Sequence, residues 1–116
     1  MFRGSFRAVS SGGGGGGGSA DLVWASASGS SFTFTGSQNA VKADVSSNPV
    51  EIQLPSAAAS TGKIYTIKHV GGDLATNALT ITSPTSGQID GLSSIQLFQE
   101  KLAVRASSDG SDWSII

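Results

Sequence analysis

The sequence predicts an all-β fold: a small antiparallel β-sandwich, jelly-roll-like or β-prism domain with an extended Gly-rich N-terminal arm. Three observations lead there. From Asp21 onward apolar residues recur at alternate positions in short runs, the period of a strand with one buried face. The runs are separated by Gly, Asn, Asp and Ser, the residues that supply turn conformations. No segment carries the apolar period of a long helix, so a helical crossover is not expected and the sheets should pair mainly antiparallel.

The elements follow in order. Residues 22–26 form the first candidate strand and residues 31–35 the second, with Phe32 and Phe34 on one face. Residues 40–45 make a third, closed by Ser46-Ser47-Asn48-Pro49, a strong turn signal. Val50, Ile52 and Leu54 then alternate with Glu51 and Gln53 until Pro55 stops the run. In the connection that follows, Ala57-Ala58-Ala59 allows a helical turn or a loop. Residues 63–70, 75–82, 88–90, 95–98, 101–106 and 112–115 complete the strand set.

Residues 1–20 read as a separate unit, an anchoring arm, and residues 21–116 as the β domain. The arm repeats a Phe-Arg pair at Phe2-Arg3 and Phe6-Arg7, then runs through seven glycines, Gly12 to Gly18. A glycine run holds no conformation unaided, so it is either a tether or backbone threaded through a tight space. Phe2, Arg3, Phe6 and Arg7 are the residue types enriched where a peptide docks on a protein surface. We read them as partner-anchoring residues.

Composition narrows the function. Charged residues are 13% of the chain, roughly half the usual quarter. The net charge of −1 and seven cations scattered along the sequence make no basic stripe, so nucleic acid is not an expected partner. Cysteine is absent, which removes disulfides, thiolate nucleophiles and Cys-ligated zinc. No run approaches the roughly 20 apolar residues that span a bilayer, and Arg3 and Arg7 lead into no apolar signal core. A membrane partner is therefore not expected. With no covalent staple, oligomerisation is the expected way to stabilise so small a core.

A succession of motifs carries a family resemblance over Val50 to Ile116. It comprises the Val50/Ile52/Leu54-Pro55 strand, Thr61-Gly62-Lys63-Ile64-Tyr65-Thr66-Ile67-Lys68 and Leu79-Thr80-Ile81. The Ile89-Asp90-Gly91 turn and the Ser108-Asp109-Gly110-Ser111-Asp112-Trp113 hairpin complete it. In that order the pieces resemble a β-domain family of bacteriophage virion proteins, found in tail fibres and capsid-decorating (cement or head fibre) proteins. The resemblance implies a homotrimer made in the host cytoplasm and resident on the virion, at the capsid surface or the tail. The implied partner is the major capsid protein or a tail protein. A short tail fibre or spike binding a host surface glycan is the alternative.

Chemistry-bearing residues are few. His69 is the single histidine, so any Ser-His-Asp triad depends on it, and no metal or other cofactor is expected. Asp90, Asp109 and Asp112 invite a calcium or glycosidase reading, but Asp90-Gly91 and Asp109-Gly110 are also hairpin signals. The turn reading is preferred, and no catalytic residue is assigned. Trp24, Tyr65 and Trp113 would form a sugar platform if exposed together. Trp113 alternates with Ile115 and Tyr65 with Ile67, which favours core or oligomer contacts for all four.

Overall fold

The computed structural model describes residues 21–35 and 37–116, so the arm at 1–20 lies outside the described residues. Among the described residues nine strands form two sheets: β1 Trp24–Ala27, β2 Ser31–Thr33, β3 Ala40–Asp44, β4 Val50–Gln53, β5 Ile64–Gly71, β6 Leu79–Thr82, β7 Ser94–Gln96, β8 Ala103–Ser108 and β9 Trp113–Ile115. Each overlaps a segment with period-two alternation. Residues 88–90 differ, making only isolated bridges from Ile89 to Leu92 and Trp113. Ala58–Ser60 closes a single 3-10 turn.

Both sheets are mixed, which corrects the expectation of mainly antiparallel pairing. The five-stranded sheet has the order β1-β3-β5-β8-β9 and the four-stranded sheet β2-β4-β6-β7. β1 pairs parallel with β3, β3 with β5, β2 with β4, and β4 with β6. Only β5–β8, β6–β7 and β8–β9 are antiparallel. The reason lies in the connections. Through β6 the chain changes sheet after every strand, so β2 lies within the crossover from β1 to β3 and β4 within that from β3 to β5. A strand of the opposite sheet takes the place of the crossover helix that parallel pairs usually need. Alternation reports which face of a strand is buried and is blind to strand direction.

The core lies between the two sheets. In the four-stranded sheet Phe32, Ile52, Ile81 and Ile95 stand in register in one row, each paired with the next. Facing them, the five-stranded sheet contributes the small buried side chains Ala27, Ala43 and Ala106 beside Val41 and Ile67. Side chains of both sheets thus join in one apolar cluster, as close packing requires. An aromatic row fills one end of the core. Ring centroids lie 5.2 Å apart for Phe32 and Phe34, 4.6 Å for Phe34 and Tyr65, and 5.7 Å for Tyr65 and Trp113.

Two turns hold that end together. Asp90 and Gly91 both take positive φ, 49° and 83°, and Ile89 and Leu92 exchange backbone hydrogen bonds of 2.7 and 2.9 Å. This is the two-residue turn that an Asp-Gly pair favours. The second turn, Asp109 to Asp112, is a four-residue loop in which Ser111 and Asp112 donate their amides to the Asp109 carboxylate at 2.8 and 2.9 Å. The first turn docks on β9: Asp90 donates its amide to the Trp113 carbonyl, and Trp113 donates to Gln88.

At the opposite end of β5 the register slips between Ala43 and Asp44, and the strand runs into Gly71-Gly72. Gly72 has φ +89°, and a Cβ there would sit 2.4 Å from the Ser46 amide nitrogen. Gly72→Ala should therefore cost about 3 kcal/mol or more in urea unfolding, combining strain with a backbone clash. Gly29→Ala, where an added Cβ meets nothing within 4 Å, is the matched control and should leave the midpoint almost unchanged.

Candidate functional site

His69 sits on the inner face at the end of β5 and is 1% exposed. Its Nδ1 accepts the Lys101 amide at 2.9 Å, which leaves the proton on Nε2, donated to the Gly72 carbonyl at 3.0 Å. Both ring nitrogens are thus committed to backbone. The ring ties the β5 bulge to the turn before β8, where Lys101 holds φ +65°. A general base needs a free lone pair within reach of substrate, and this ring offers none.

The carboxylates are likewise engaged in local backbone geometry. Asp109 caps its own loop, Asp112 Oδ1 accepts the Gln88 amide at 2.9 Å, and Asp90 Oδ1 accepts the Ile115 amide at 3.3 Å. Amides of Asp112 and Ser111 hold the Asp109 carboxyl below its ordinary value of 3.8. Asp44 is held below it in the same way by the Ser46 hydroxyl and amide. Among the described residues no group of three His, Cys, Asp or Glu side chains converges on a metal position.

The aromatic residues do not assemble into a platform. Trp113 is 1% exposed and Tyr65 6%, both inside the core with Ile67, while Ile115 packs half-buried against it. Burial leaves neither ring a face for a sugar. The Trp113 indole Nε1 is the one buried side-chain polar atom without a partner among the described residues. Trp24 stands apart, exposed on β1, with the Lys42 ammonium 5.5 Å from its ring centroid. Phe2, Arg3, Phe6 and Arg7 lie outside the described residues.

The outer faces of the two sheets differ in chemistry. On the four-stranded sheet the paired rows are Ser31, Glu51, Thr80, Gln96 and Thr33, Gln53, Thr82, Ser94. Thr33 donates to Gln53, and Gln53 and Thr82 both donate to one Glu51 oxygen, at 2.7, 3.2 and 2.9 Å. This face is a self-bonded polar surface. On the five-stranded sheet Lys42 lies directly opposite Lys68, while Arg105 pairs with Thr66, one pleat from Lys68. Cations far apart in sequence are gathered on one face. The signal was present in strand parity, since Lys42, Lys68 and Arg105 each lie between two inward-facing residues. Strand order, which alternation does not encode, was needed to bring them together.

No protein-family model, curated protein or solved structure matches the chain.

Two outcomes follow from this geometry. Trp113→Ala should cost about 3–5 kcal/mol in chemical unfolding, the range for a buried aromatic whose neighbours relax only in part. An unchanged midpoint would mean the ring lies outside the core. Secondly, Asp44 and Asp109 titrate lower when folded than when unfolded. The stability they contribute is present above the ordinary carboxylate range and is lost as pH falls through the lower folded values. The melting temperature should drop as pH falls below about 4, and the D44N/D109N variant should show a flatter acid limb in the same scan.

Proposed function

We propose that this chain is a non-enzymatic structural protein of a bacteriophage virion, a trimeric capsid decoration protein anchored to the shell by residues 1–20. One observation carries the reading: the residue types that catalysis would need serve as framework. His69 spends both ring nitrogens on backbone, and Asp90, Asp109 and Asp112 each accept backbone amides in turns. The resemblance over Val50–Ile116 supports it further, because its separated pieces meet in space. The Ile89-Asp90-Gly91 turn bridges to Trp113, and Gly62 donates its amide to the carbonyl of Ser108 at the head of the hairpin at 2.9 Å.

On this reading the partners are two further copies and the major capsid protein. The β domain sits on the outer surface, the glycines allow close backbone approach, and Phe2 and Phe6 act as plugs. The protein stabilises the shell by mass action, because it binds only the assembled state. Three linked arms add avidity without any single strong contact.

A copy-number count per virion, against the major capsid protein, tests the assignment. Decoration requires hundreds of copies in near-fixed ratio to the shell. A few to a few dozen copies would place the protein in the tail, and its absence from purified particles would end the virion reading. The arm has its own test: a chain lacking residues 1–19 should fold and remain trimeric yet fail to attach, and normal attachment would refute the anchor.

A further inference from the structure

We infer that the outer face of the five-stranded sheet binds a carboxylated polysaccharide along a rank formed by Trp24, Lys42, Lys68 and Arg105. The rank crosses four adjacent strands. Trp24 pairs with Ala40 one pleat from Lys42, Lys42 stands opposite Lys68, and Arg105 is one pleat from Lys68 on the next strand. Their neighbours Val41, Ala43, Ile67 and Ala106 point into the core, so the four side chains share the outer face.

Like charges directly opposite on paired strands destabilise a sheet. Here two lysines face each other with an arginine alongside, and Asp44 is the sole carboxylate in the strands of this sheet. Among the described residues Asp44 makes no ion pair with the rank: its Oδ1 accepts the Ser46 amide and hydroxyl. Two of the cationic groups are already positioned. The Lys42 ammonium lies against the Trp24 ring, and the Lys68 ammonium donates to the Lys101 carbonyl. A fold that keeps unpaired cations side by side and partly immobilised is complementary to an anionic ligand.

The surroundings favour a saccharide over other polyanions. The hydroxyls of Ser26 and Ser107 lie among the cations on the same face and match sugar hydroxyls as donors and acceptors. Arg105 supplies the fork that takes a carboxylate bidentately, and the lysines act as point charges. Between Trp24 and Arg105 the floor is closed by Ala40 and Thr66, 0% and 7% exposed. It therefore offers no socket for the apolar anchor on which tight protein partners depend. Three cations also fall short of the 6–10 or so phosphate contacts of a strong duplex binder.

The test uses the full-length protein and oligogalacturonate, with dextran as the neutral control, followed by calorimetry and backbone amide NMR. The acidic oligosaccharide should bind, dextran should not, and the perturbed amides should fall in β1, β3, β5 and β8. In K42Q/K68Q/R105Q the affinity should fall by about tenfold or more while the melting temperature holds. If that variant melts early, R105K reads the same site, because it keeps the charge, loses the fork and should still weaken binding. The inference is overturned by absence of binding, by full affinity in the triple variant, or by perturbations confined to other residues. It is equally overturned if a short DNA duplex or poly-glutamate binds as tightly, since the face would then be selecting a nucleic acid or an acidic protein. The result is independent of the virion copy number, so either proposal can fail alone.

Discussion

The structure depends on how the chain reaches its parallel partners. From β1 to β6 each strand leaves one sheet and the next enters the other, so every parallel pair closes around an intervening strand of the opposite sheet. Backbone donors and acceptors are then satisfied between strands far apart in sequence. Each pairing also seals one more layer of core, because the strand that bridges it brings its own apolar face. Neither sheet is complete before the other, which makes the contacts mainly non-local and places the fold among the slower-forming topologies. The antiparallel strands β7, β8 and β9 finish what the alternating part begins.

Closure is achieved differently at the two ends of β5. At its start, Tyr65 enters the aromatic row that continues through Trp113, and the Asp90-Gly91 turn lies along β9. That turn shields the β9 edge from pairing with another chain, as exposed edges require. At its finish, the strand is pinned by a histidine. His69 answers one carbonyl on its own strand end and one amide on the segment before β8, while Gly71 and Gly72 let the backbone pass against Asp44 and Ser46. A larger residue would have to displace the Asp44 side chain at position 71 and main chain at position 72, so the histidine bridge and the glycine pair form one joint.

The legibility of the sequence followed the physics of each signal. Period-two alternation located the strands well, as the Val50, Ile52 and Leu54 series and its buried face illustrate. Asp90-Gly91 was readable because positive φ at two successive positions selects such residues. Asp109-Gly110 was harder: the same dipeptide opens a longer loop, fixed by a side-chain cap that a dipeptide signal does not contain. The lack of a helix pointed to mainly antiparallel sheets, but strand direction is set by the crossover, and here a strand of the opposite sheet serves as one. The role of His69 was invisible, since its two partners are backbone atoms, one of them on a turn before a different strand. The sugar platform failed for a related reason, as Tyr65 and Trp113 alternate with residues whose parity places all of them inside.

Net charge and local charge lead to different conclusions here. With a formal charge of −1 the molecule has little long-range field to gather a polyanion. At physiological ionic strength, however, a bound group senses charges within about 8 Å, and strand spacing is roughly 5 Å. Lys42 and Lys68 on adjacent strands therefore act together on one anion, whatever the acidic loops carry elsewhere. The low charged fraction sharpens this contrast. Where the opposite sheet offers hydroxyls and amides already bonded to one another, a few cations sharing one face set the potential of that whole surface. Seven cations dispersed along the sequence give no hint of it, because the grouping is a property of strand order.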